Sequence, residues 1–167
     1  ETGKRPTRLL CPSDFKGRRG GITLEGAEDH TGFVLDGFVF DKRLNNVYKE
    51  NGDLQDGSDR TEHVWLARPE CVIRNCVFVN GAGTALKVTN GQLIENNIVL
   101  NHVTFAVEVT NGWSTRPLVF RQNTVAFCWD IRFGQGHGSN GNLLRLTGRA
   151  QARVVGNIFE FADNDAI

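Results

Sequence analysis

The chain is expected to fold as an all-β parallel β-helix, a solenoid of about five coils. Three observations lead there. First, Cys71-Val72-Ile73-Arg74-Asn75-Cys76-Val77-Phe78-Val79-Asn80 is echoed twenty-one residues later by Gln92-Leu93-Ile94-Glu95-Asn96-Asn97-Ile98-Val99-Leu100-Asn101. Each phrase leads to a second one, Ala85-Leu86-Lys87-Val88-Thr89-Asn90 and Ala106-Val107-Glu108-Val109-Thr110-Asn111. A fixed period of this size marks stacked, equivalent units. Second, no segment sustains a helical period; Gly and Asn punctuate short β-branched runs instead. Third, strands repeated without a helical crossover must stack in parallel as a β-helix.

The elements follow in order. A bend residue closes each first strand, at Gly37, Cys76, Asn97, Asn123 and Asn157. Asn tolerates the left-handed backbone of a sharp bend, and Gly fits it for steric reasons. Stacked asparagines can also bond the coils above and below. An apolar stretch follows each bend: Phe38–Phe40, Val77–Val79, Ile98–Leu100, Thr124–Ala126, Ile158–Glu160. A later strand alternates with period 2 at Ala85–Val88, Ala106–Val109 and Asp130–Phe133. Leu86, Val88, Val107, Val109, Ile131 and Phe133 are thus expected inside, with Lys87, Glu108 and Arg132 above one another outside.

These units resemble the right-handed parallel β-helix superfamily of pectate-lyase-like proteins. The matching pattern is apolar-apolar-x-x-Asn-apolar-apolar, then Ala-apolar-x-apolar-x-Asn/Gly, over about residues 22–167. The resemblance implies a right-handed solenoid. It also implies an exported, secreted or periplasmic protein that meets polysaccharides. The superfamily spans lyases, hydrolases, epimerases, tailspikes and adhesins, so fold alone selects no reaction.

The chain has 167 residues, one domain by length, with 19 basic and 19 acidic residues. That balance gives no electrostatic case for nucleic acid or an anionic membrane, and no apolar run is long enough to span a bilayer. Residues 1–21 read as a leading segment, in which Glu1-Thr2-Gly3 resembles a cloning remnant and Lys4 to Arg19 carry a solvated basic cluster. Ile167 stops where another strand should begin. The expectation is a piece of a longer helix, with further coils or another chain over the open C-terminal end. Cys11, Cys71, Cys76 and Cys128 match no zinc spacing. Buried free thiols are expected, with a bridge from Cys11 left open.

Two long turns, about 41–62 and 134–142, are the expected seats of specificity. The first carries Asp53, Asp56 and Asp59, oxygen ligands of the kind calcium takes, although the loop lacks the full EF-hand pattern. The second holds Gly136-His137-Gly138, which is similar to the Gly-His-Gly of polygalacturonase-type hydrolases. The other motifs of those enzymes are missing from the matching places.

Two outward ladders of alternating charge emerge, Lys87-Glu108-Arg132 and Arg74-Glu95-Arg121. Alternation itself stabilises stacked strands. It also suits β-elimination on a uronic-acid polymer, which needs a base for the C5 proton and a cation for the carboxylate. The expected catalytic set is Lys87, Arg132, Glu108 and His137. Arg74, Arg121, His102 and Trp113 are the expected substrate contacts. An anionic polysaccharide is the expected partner, and Ca2+ the one candidate cofactor. The competing expectations are a non-catalytic glycan-binding or structural β-helix (adhesin, tailspike or scaffold fragment) and a polysaccharide hydrolase.

Overall fold

A computed structural model describes residues 7–10, 22–24, 32–42, 62–112, 114–129 and 141–163, the first two segments as backbone only. All described elements are strands: β1 Thr7–Leu10, β2 Ile22–Leu24, β3 Val34–Asp36, β4 Phe38–Asp41, β5 Val64–Leu66, β6 Val72–Arg74, β7 Val77–Gly81, β8 Leu86–Thr89, β9 Leu93–Glu95, β10 Ile98–Val103, β11 Phe105–Thr110, β12 Leu118–Arg121, β13 Thr124–Trp129, β14 Asn142–Leu146, β15 Ala152–Val155 and β16 Ile158–Ala162.

Every third strand joins the same sheet, and all pairings are parallel. Sheet A runs β1-β4-β7-β10-β13-β16, sheet B runs β14-β11-β8-β5-β2, and sheet C runs β15-β12-β9-β6-β3. Five turns through sheets A, B and C, followed by β16, make the expected parallel solenoid. Sheet A begins at β1, inside the segment read from sequence as a leader.

The interior is built from stacked columns of inward residues, one per coil in each sheet, with Leu66, Val88 and Val109 forming a second column in sheet B. Leu35, Ile73, Ile94 and Phe120 stack inside sheet C; Phe40, Phe78, Val99 and Val125 inside sheet A; Val64, Leu86, Val107 and Leu144 inside sheet B. All are nearly solvent-free. Each such side chain contributes about 1.5–3 kcal/mol of hydrophobic stabilisation. Phe40 and Phe78 extend the column as stacked rings 4.9 Å apart.

Two positions depart from the sequence alignment. Asp36 pairs with Arg74 and Val39 with Val77, so Gly37 stands level with Asn75, not with Cys76. The left-handed residues of this bend are Gly37, Asn75, Asn96, Gln122 and Gly156, and the asparagine column follows them by one residue. The sequence reading slipped because Gly and Asn serve a bend for different reasons, Gly for its backbone and Asn97 or Asn123 for its side chain. The second departure is β14. Glu108 pairs with Arg145, so the third rung is Leu143-Leu144-Arg145-Leu146 and not Asp130–Phe133. Both segments alternate apolar and polar residues, and only the pairing tells them apart. Trp129 ends β13.

Candidate functional site

The outer face of sheet B carries the row Trp65, Lys87, Glu108, Arg145, one residue per coil. Alternation along each strand aims these side chains outward while Leu86, Val107 and Leu144 enter the core. Lys87 Nζ lies 3.7 Å from Glu108 and 3.9 Å from Glu62, and 4.8 Å from the centre of the Trp65 ring. The Arg145 guanidinium lies 4.4 Å over the Phe105 ring. Lys87 and Arg145 stand two strand steps apart, roughly 10 Å, with Glu108 between them.

The outer face of sheet C carries Asp36, Arg74, Glu95 and Arg121. Arg74 Nε donates to Asp36 at 2.9 Å, and Arg121 pairs with Glu95 at 2.6 Å. Hydrogen bonds from Asn75 and Arg74 hold the Asp36 carboxyl below its ordinary pKa. Asp36 is the rung of this ladder that sequence reasoning missed; the one-residue slip at Gly37 hid it. The expected catalytic pair Lys87 and Glu108 and the expected substrate contacts Arg74 and Arg121 therefore lie on different sheets.

His102 is not a surface contact. It follows the left-handed Asn101, so its ring turns inward, and it is fully buried. Nδ1 lies 3.3 Å from the Gly83 carbonyl and Nε2 3.3 Å from that of Phe78. A neutral ring can donate to only one of these. Burial pushes its pKa down to about 4 against the pull of both carbonyls. His63 packs beside it, ring centres 5.0 Å apart, and its buried Nε2 has no hydrogen-bond partner. Burial lowers the His63 pKa well below the ordinary value, helped by the charges of His102 and Lys42. Gly81 makes room for the pair: a Cβ there would collide with the His102 ring and come within 2.9 Å of His63 Nε2.

Cys71, Cys76 and Cys128 are buried, as expected, and Cys76 and Cys128 are free thiols. Burial raises the pKa of all three thiols, that of Cys128 to about 12. Arg132, His137, Trp113, Asp53, Asp56, Asp59 and Cys11 lie outside the described residues, as do most of both long turns. Among the described residues, no group of three His, Cys, Asp or Glu side chains could hold a metal ion, and no helix is long and apolar enough to cross a membrane.

A second feature went unnoticed in the sequence. A shallow cleft of about 530 Å³ lies on sheet C, lined by Val72, Leu93 and Val119 and by Arg116, Arg121 and Arg153. Its residues come from four coils and from the turns between them, so no local motif announces it.

No protein-family model, curated protein or solved structure matches this chain.

Proposed function

We propose that this chain is a carbohydrate-active parallel β-helix of the pectate-lyase-like kind that engages an acidic polysaccharide along the outer face of sheet B. The observation that carries this reading is the row Trp65-Lys87-Glu108-Arg145. It offers an aromatic face for a sugar ring and two cations for carboxylates, at the repeat of the strands.

The reaction these groups suit is β-elimination. Arg145 takes the part first given to Arg132 and holds the uronate carboxylate, which acidifies the C5 proton. Lys87, in its neutral form, accepts that proton. The electron pair forms the C4–C5 double bond as the C4–O bond breaks, and the glycosidic oxygen leaves with a proton drawn from solvent water. Glu108, 3.7 Å from Lys87, positions the amine. A polymer of this kind lies outside cells, which agrees with secretion or a periplasmic location.

A second reading, non-catalytic binding of the same polymer, is favoured by the double pairing of Lys87. Its amine faces Glu62 and Glu108 and rests on Trp65, the surroundings of a binding cation rather than of a base open to the C5 proton.

Incubation with alginate, pectate and glycosaminoglycans, with calcium and with chelator, separates the two. The lyase reading expects a rise in ultraviolet absorbance from an unsaturated uronate on one polymer. Lys87→Ala and Arg145→Ala should abolish it at unchanged circular dichroism. Retention on an acidic polymer without absorbance change or new reducing ends leaves the binding reading. No retention and no turnover on any acidic polymer overturns both.

A further inference from the structure

The sheet C cleft is a trough with two chemistries. Val72, Leu93 and Val119 are register partners in successive coils and form a half-buried apolar stripe. In the next coil the same column ends in Arg153, which is exposed. Four coils make the trough roughly 14 Å long, which suits an extended chain better than a single small ion.

Its rim carries three guanidinium groups, of which two are ion-paired. Arg116, Arg121 and Arg153 line it against one lining carboxylate, Glu70. Glu70 pairs with Arg116 at 2.5 Å, and Glu95 pairs with Arg121 at 2.6 Å. Arg153 makes no ion pair or hydrogen bond with the other described residues.

The wall beside the stripe is firmly built. Gln92 is buried and donates to the Leu66 and Arg68 carbonyls while accepting from the Thr89 amide. Asn90 ties the Ser114 carbonyl to the Gln151 amide across two further turns. Gly91, at φ 80°, passes so close to Ser114 and Pro69 that a Cβ would clash with both. The trough therefore needs little reorganisation to receive a ligand.

We propose that this trough is a second glycan site, separate from the row on sheet B. It takes an acidic sugar chain whose apolar ring faces lie on Val72, Leu93 and Val119 and whose carboxylates meet Arg153 and Arg116. The choice of a carboxylate-bearing sugar rests on the acidic-polysaccharide reading above; the location rests on the trough alone. Guanidinium forks match planar carboxylates in two hydrogen bonds, which a point charge cannot do. Sheet B and sheet C would then bind one polymer at two faces, and the combined affinity would exceed either alone.

Titration calorimetry of the full chain with a uronic-acid hexasaccharide, and with a neutral glucan hexasaccharide, tests this. Arg116 and Arg153 are exposed, so R116A/R153A should fold normally. Made in the K87A/R145A background, that change should cost about tenfold or more of the remaining affinity for the acidic hexamer and weaken its salt dependence. K87A/R145A should leave the trough's binding in place, and R116K/R153K should recover only part of it. Unchanged affinity when R116A/R153A is added to K87A/R145A overturns the trough while leaving the sheet B reading intact. Equal binding of the neutral hexamer overturns the choice of ligand. No binding of the acidic hexamer by the wild-type chain overturns both sites together.

Discussion

Two bends, one leading into sheet A and one within it, are built on one plan with opposite fillings. In each, a left-handed residue turns the chain and the next residue points inward. At the bend from sheet C into sheet A the inward column is Cys76, Asn97, Asn123 and Asn157. Asn97 Nδ2 donates to Asn123 Oδ1 at 3.0 Å, and Asn123 Nδ2 donates to Asn157 Oδ1 at 3.0 Å. At the bend inside sheet A the left-handed residues are Asn80, Asn101, Phe127 and Phe161, and the inward column is Gly81, His102, Cys128 and Ala162. The first bend repeats because each amide completes its neighbours. The second varies because its outward residues face water and its inward ones fill space.

The largest expected effect breaks that contrast at its strong side. Asn123 accepts from the Asn97 amide and side chain and donates to the Ile94 carbonyl. Asn123→Leu leaves these groups buried and unpaired and should cost about 3 kcal/mol or more. Asn101 bonds Asn80 and Trp129 at the partly exposed bend. Asn101→Leu should cost about 1–2 kcal/mol, most of it the left-handed backbone at φ 58° forced on a bulky residue rather than lost hydrogen bonds. Urea midpoints of the two variants measure the gap, and equal losses would show that the bends do not differ in this way.

The second effect sharpens the contrast through pH. Amides do not titrate, whereas His63 and His102 do, and both have pKa values lowered by burial. A lowered histidine pKa means that the unfolded chain binds the proton first. Stability should therefore be full above the ordinary value near 6.5 and decline as pH falls towards about 4. The groups facing the pair are the Phe78 and Gly83 carbonyls, the Phe40 ring and the Lys42 charge. Urea midpoints at pH 7.5 and pH 4.5 should differ less in His102→Gln than in the wild-type chain. An identical difference would assign the acid sensitivity to the carboxylates.

The architecture was legible because the phrase repeats, and repetition fixes register where a single strand would not. The buried asparagines were legible for the same reason. What failed was local. Gly37 and Cys76 were placed in one column because both neighbour a bend, and only pairing shows which residue turns. Ile131-Arg132-Phe133 and Leu144-Arg145-Leu146 carry the same alternation, so the sequence does not separate Arg132 from Arg145 as the third rung. His102 was read as surface because it follows an Asn; the inward turn after a left-handed residue is a backbone property that composition does not display. The arginine trough was invisible because Arg116 sits in a turn and Arg153 replaces the valine and leucine of earlier coils.

The smallest expected effect concerns Phe127. Its backbone is left-handed at φ 57°, a conformation that costs a bulky residue roughly 1–2 kcal/mol and an asparagine less. Its ring is exposed and stacks on Phe161 at 4.7 Å, with centres near parallel. Phe127→Asn gives up that stack, worth about 0.5–1.5 kcal/mol, while relieving the strain and extending the amide column of Asn80 and Asn101 by one rung. Strain relief and the added hydrogen bond together outweigh an exposed stack. The variant should gain up to about 1 kcal/mol, read as a small rise in urea midpoint. A loss of similar size would mean that the aromatic pair, not the backbone, decides which residue this bend selects, and the two bends would then differ in packing as well as in hydrogen bonding.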